Sequence, residues 1–162
     1  ENDAAMFVTV FYSVFDPASG RLSYANGGHN PPALLDASGR ARFLEGTDGI
    51  ALGIMADTPY EAREIVLAPG DRLLFYTDGV TEAIDERECA FAVGGLTAAL
   101  EDSTAADADE LVRTVVTRVQ AFAGDAPQFD DITLMALHYR GVDSERDSAL
   151  ATMPLATKVA FH

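Results

Sequence analysis

Two acidic stretches carry the residue types most capable of chemistry. In Leu73–Glu82, LLFYTDGVTE, a hydrophobic run ends abruptly in Asp78 and Gly79. Far along the chain, QFDDITLMAL sets Asp130 and Asp131 at the start of another hydrophobic run. If the two runs are antiparallel neighbouring strands, the end of one and the start of the other share one end of the sheet. The carboxylates then converge from distant parts of the sequence. Converging carboxylates repel one another unless they are protonated or neutralised by a cation, and hard oxygen donors suit Mg²⁺ or Mn²⁺. The plainer alternatives are an Asp-Gly hairpin turn at Asp78 and an aspartate pair capping a loop. The segment after Asp78, VTEAIDERE, alternates poorly and is too charged for a partner strand. The residues by themselves leave both readings open.

The elements that must position these aspartates follow from patterning. From Met6 to about Leu67 the chain reads as a β-meander: MFVTVFYSVF is a long strand, DPASGR a turn, LSYAN a second strand, and ALLDASGRARFLE a further hairpin. The two ASGR corners use one turn chemistry twice, with Gly20 and Gly39 expected at positive φ. REIVLAPGDRLLFYTDG gives two strands about a Pro69–Gly70 turn. DADE at Asp107–Glu110 opens a helix in which Leu111, Val112, Val115, Val116, Val119 and Phe122 recur at helical spacing, and Gly124 closes it. DITLMALHY is a final strand, and residues 141–162 read as a linker or tail that need not pack on the core. Strands, then helices, then one returning strand predict an α+β domain over residues 1–140 with largely antiparallel sheets.

Composition narrows the partners. The 162 residues include 11 lysines and arginines against 26 acidic residues, a formal net charge of -15. Such a surface repels nucleic acid and anionic membranes, and it slightly favours divalent cations. Hydrophobic residues at 48% and charged residues at 23% suit an ordinary globular domain. The longest uncharged apolar run, CAFAVGGLTAAL, is too short to span a bilayer, and no signal peptide is visible. Cys89 is the sole cysteine, which fits a reducing cytoplasm, and ECAFAVGGL makes it a small apolar helix residue. The opening ENDAAMFVTV reads like the start of an internal segment.

Together, MFVTVFYSVFDPASGRLSYANGGHNPPALL, LAPGDRLLFYTDGVTEA and FDDITLMAL resemble the SpoIIE/RsbU-type bacterial branch of the metal-dependent protein phosphatases (the PPM, or type 2C, family), from about Met6 to His138. That resemblance implies an α-β-β-α sandwich of two mainly antiparallel sheets flanked by helices. It also implies two Mn²⁺ or Mg²⁺ ions at one edge that activate water for in-line attack on phosphoserine or phosphothreonine. Asp78 matches one metal-binding aspartate of the family and Asp130 another, with Asp131 a neighbour. Gly28, His29 and Asn30 match the AGHNPP segment. His29 then either packs in a turn held rigid by Pro31 and Pro32, or serves the catalytic edge by orienting a carboxylate or donating a proton. Gly79 either lets the backbone pass close to the metal or serves hairpin geometry. Thr81 and Glu82 need do no more than start the next helix. The implied substrate is a phosphorylated anti-sigma-factor antagonist, a STAS-domain protein.

The chain also departs from the family. Segments like GGDYYD and GDVSGKG, which supply the remaining metal ligands and further strands, do not occur in it. The expectation is weak metal binding by these residues alone, and exposed sheet edges that favour pairing with a partner chain or a homodimer. YTDGVT resembles the haloacid dehalogenase motif too, but Tyr76 falls where that mechanism needs an aspartate. The rival from another class is a noncatalytic regulatory or protein-binding module on the same fold.

Overall fold

The computed structural model describes residues 6–46, 49–128 and 130–142, with the backbone of one last strand, Ala156–Phe161. Strands β1 (Val10–Asp16), β2 (Arg21–Gly27) and β5 (Arg63–Val66) form one antiparallel sheet in the order β1-β2-β5. Strands β3 (Ala33–Leu35), β4 (Ala41–Phe43), β6 (Arg72–Tyr76), β7 (Ile132–His138) and β8 (Ala156–Phe161) form a second, in the order β4-β3-β6-β7-β8.

The five-stranded sheet is central because its strands are apolar on both faces. Along β6, Leu73 and Phe75 face the three-stranded sheet, joining Leu22, Tyr24, Leu34, Leu67 and Tyr139. Leu74 and Tyr76 face the other way, toward helices α1 (Ala92–Glu101) and α2 (Ala108–Ala123). Burial on both sides explains why LLFY is a continuous apolar run rather than an alternating one. Leu73 and Leu74 are wholly buried, each contributing roughly 1.5–3 kcal/mol.

α2 buries Leu111, Val112, Val115 and Val119, the stripe its periodicity predicts. Its first turn is held reciprocally: Asp107 Oδ1 accepts from Glu110 N at 2.8 Å, while Glu110 Oε2 accepts from Ala106 N at 2.8 Å. The chain leaves the helix at Gly124 with φ of 59°. The two ASGR corners are indeed alike. Asp16 Oδ1 accepts from Ala18 N at 3.0 Å, Asp36 Oδ1 accepts from Ser38 N at 2.9 Å, and Gly20 and Gly39 have φ of 71° and 85°. These contacts, led by the serine hydroxyls of Ser19 and Ser38, hold both carboxyl groups below the usual carboxylate range.

The layers read helix, five-stranded sheet, three-stranded sheet. Among the described residues no helix covers the outer face of β1-β2-β5, where Tyr12, Val14 and Val66 are exposed. Two expectations change. Of the stretch read as a linker or tail, residues 143–155 and 162 lie outside the described residues, while β8 pairs with β7 from Ile132↔Phe161 to Leu137↔Ala156. Cys89 is exposed and precedes α1 rather than lying in it. Asp85 Oδ1 accepts from both Arg87 N and Cys89 N at 2.9 Å, a turn that competes with helix at that point.

Candidate metal centre

Strands β6 and β7 are antiparallel neighbours in the register Tyr76↔Leu134, so Asp78 beyond the end of β6 and Asp130 before the start of β7 meet at one end of the sheet. Thr77 fastens the two segments. Its N donates to Thr133 O at 3.1 Å, its Oγ1 donates to Asp131 O at 2.8 Å, and Thr133 N donates back to Thr77 Oγ1 at 2.9 Å.

Asp78–Val80 then forms a single 3₁₀ turn, not the hairpin that an Asp-Gly pair suggests. The turn closes through Val80 N to Thr77 O at 3.1 Å and Glu82 N to Asp78 O at 2.8 Å. Gly79 is buried against the other segment. A Cβ there would stand 2.7 Å from Asp131 O and 3.0 Å from Asp131 C, so any side chain would push Asp78 away from Asp130. The glycine thus serves a close approach between two backbones.

The result is a set of three exposed carboxylates, Asp78, Glu82 and Asp130, whose ligand oxygens all lie within 4.8 Å of one another. Oxygens sharing one Mg²⁺ at 2.0–2.1 Å stand at most about 4.2 Å apart, so small side-chain rotations would bring these onto one ion. None of the ion pairs formed among the described residues uses these three groups. Asp130 Oδ1 accepts from Asp131 N at 2.7 Å, and Gln128 Nε2 donates to Asp130 O at 2.8 Å, which orients the loop. An all-oxygen, all-anionic donor set fits a hard divalent cation.

Glu82 is the member that sequence reasoning missed. Its signal was the spacing from Asp78, four residues on, which becomes adjacency once the segment turns helically. Asp131 is not part of the set; its carbonyl holds Thr77. His29 is not in the set either, and Gly28, His29 and Asn30 belong to another segment. They follow β2 and lead toward β3, whose Ala33 pairs with Leu74 near the end of β6, so they share the end of the sandwich where Asp78 lies. His29 N donates to Asn26 Oδ1 at 2.8 Å, Asn26 Nδ2 donates to His29 O at 2.7 Å, and the His29 ring meets Thr9 Oγ1 at 3.2 Å. Buried Asn26, also missed, builds this turn. Gly28 has φ of 73°, and a Cβ there would meet Ala51 N at 2.9 Å.

Two antiparallel sheets under a helical layer match the fold of type 2C-like phosphatase domains. The model of the SpoIIE family (stage II sporulation protein E) matches residues 1–140, and the chain belongs to that family. It is 34% identical over 136 residues to Protein IcfG of Synechocystis sp., covering 84% of this chain and 21% of that protein. Against phosphoserine phosphatase RsbU of Bacillus subtilis it is 28% identical over 135 residues, covering 83% of this chain and 40% of RsbU. Among solved structures, the RsbU and RsbW domains of Rv1364c from Mycobacterium tuberculosis superpose with TM-score 0.67 at 30% identity, covering 82% of this chain and 37% of that one. The phosphatase domain of SpoIIE from Bacillus subtilis shares the fold, with TM-score 0.66 at 15% identity over 85% of this chain and 59% of that one. The chain therefore spans well under half the length of these curated relatives.

Proposed function

We propose that the parent protein is a metal-dependent serine/threonine protein phosphatase whose substrate is a phosphorylated anti-sigma-factor antagonist of the STAS-domain type. The observation that carries this reading is the carboxylate set Asp78, Glu82 and Asp130 at the β6–β7 end of a SpoIIE-family domain. Two relatives, RsbU and RsbP, are named as phosphoserine phosphatases, and a structural neighbour joins RsbU and RsbW domains in one chain, which supports a partner-switching circuit.

Asp78 and Asp130 hold divalent cation, Mn²⁺ or Mg²⁺, and Glu82 adds a third carboxylate from the same turn. Bound cations supply neutralisation of phosphoryl charge and a nucleophile at neutral pH. The protein's own part is positional. Thr77 and the absent side chain at Gly79 keep Asp78 close to the Asp130–Asp131 backbone, so the like charges are held together before any ion arrives. Mg²⁺ keeps several of its six oxygen ligands as water, so these three carboxylates would supply the protein's share of the ligands to an ion held here. His29 supports the same edge by fixing the turn between β2 and β3.

The reading extends to a cytoplasmic location, and no described helix is long and apolar enough to cross a membrane. β1, an edge strand of its sheet, is the site for pairing with a second copy. The deciding experiment is calorimetric titration of Mn²⁺ into the parent protein and its Asp78→Asn variant. Tight binding lost in the variant is the expected result. No binding to the parent protein sinks the catalytic reading and leaves a noncatalytic regulatory module on a phosphatase fold.

A further inference from the structure

A cleft of about 160 Å³ opens directly beside the carboxylate set, between the Gly79–Ile84 segment and the end of α2. Its mouth carries Glu82 and Asp130, which also belong to that set. Ala83, Ile84, Val119, Ala123 and Pro127 make it mainly apolar, with Gln120 and Gln128 also lining it. The chain turns at Gly124, where φ is 59°, so Ala126 and Pro127 line the cleft together with α2.

We infer that this cleft is a substrate subsite that takes one apolar side chain of the phosphoprotein, from a residue adjoining the phosphorylated one. The inference rests on the phosphatase reading above and specifies what the site selects. Size is the first reason. Small-molecule pockets run to roughly 300–1,000 Å³, so this cleft suits a single side chain rather than a separate ligand. Position is the second. An extended peptide advances about 3.3 Å per residue, so a phosphate held through cations that Asp78 and Asp130 would bind leaves its neighbouring side chains within reach of the cleft. Charge is the third. α2 has no basic residue in its last turn, so the negative carbonyl end of the helix adds to Glu82 and Asp130 around the cleft. The carbonyl end of α2 disfavours acidic side chains in the cleft. It also favours lysine or arginine over acidic residues beside the apolar one.

The test compares hydrolysis by the Mn²⁺-loaded parent protein of p-nitrophenyl phosphate and two phosphoserine peptides. The peptides differ only in carrying leucine or glycine at both positions flanking the phosphoserine. The expected kcat/KM favours the leucine peptide on the order of tenfold, the usual worth of an apolar side chain in a fitted pocket. Ala123→Leu, which fills the cleft, should bring that preference to about one. Ala126→Leu, from the same wall, repeats the test should the first variant not fold. Equal rates on both peptides by the unaltered protein, or a preference that survives in the variants, overturns the subsite. Failure to hydrolyse p-nitrophenyl phosphate at all is a different result: it removes the phosphatase reading, and the subsite with it.

Discussion

Strand β6 carries an aspartate beyond each end, and the two are treated in opposite ways. Asp71, just before Arg72, is buried at 6% exposure, and both of its carboxylate oxygens are used: Oδ1 accepts from Ala37 N at 3.2 Å and Oδ2 from Ala68 N at 2.9 Å. Asp78, just past Tyr76, is exposed and faces two other carboxylates. The first ties the β3–β4 turn to the Pro69–Gly70 corner, so its charge is spent on the fold. The second is held exposed beside two further carboxylates, where a hard divalent cation would find oxygen donors. One residue type at two ends of one strand thus separates a carboxylate committed to the fold from one left open to a cation.

Asp78→Asn gives the largest effect at the exposed end. Mn²⁺ affinity of the parent protein should fall by about 100-fold or more, since outer-shell changes alone cost 10–100-fold. Because the group is exposed, Tm should move by no more than about 2 °C. A melting point that drops well beyond that, read by circular dichroism, would make Asp78 structural and dissolve the contrast.

The reciprocal change is Asp71→Ala. It leaves two backbone N–H groups without partners at a buried site, which costs roughly 2–3 kcal/mol and about 5–10 °C in Tm. Mn²⁺ affinity, measured on the same preparation below its melting point, should stay within about twofold. A large loss of affinity without loss of stability would place Asp71 in the metal machinery instead.

Gly79→Ala sharpens the comparison by striking both properties at once. The added Cβ meets a backbone oxygen at 2.7 Å, and a peptide carbonyl cannot swing aside as a side-chain tip can. Stability should fall by about 1–3 kcal/mol as the two segments part. Affinity for Mn²⁺ should fall roughly tenfold, as it does when the support of a metal ligand is disturbed. Unchanged denaturation midpoints would show that the turn has room to shift.

These contrasts also explain what was legible in the sequence. LLFY, the α2 stripe and the paired ASGR corners were readable because burial, helical period and turn chemistry are local signals. The meeting of Asp78 with Asp130 was readable only conditionally, because it depends on β6 and β7 being neighbours, a pairing between distant segments. Glu82 was not readable, because its place in the set depends on a 3₁₀ turn where Asp-Gly suggests a hairpin. Cys89 misled for a related reason: ECAFAVGGL has helical composition, but the Asp85 carboxylate captures the backbone N–H groups of Arg87 and Cys89 first. β8 was missed because residues 141–162 carry no alternation strong enough to mark a strand, and its pairing comes from the edge that β7 offers.

The smallest effect concerns the end of the sheet away from the carboxylates. His138 on β7 pairs in register with Arg72 on β6, and its Nδ1 is buried without a hydrogen-bond partner among the described residues. Burial, then the charges of Arg140 and Arg72, push its pKa below 6.5, while Asp107 at the start of α2 partly opposes them. The sign follows from linkage. The unfolded chain binds this proton more readily than the folded one, so stability from this group is fully present above 6.5 and declines as pH falls below it. Tm measured between pH 7.5 and pH 5.5 should therefore decline on acidification, and His138→Gln should flatten that decline without altering Mn²⁺ affinity at neutral pH. A His138→Gln variant with the same pH profile as the unaltered chain would assign the decline to other groups.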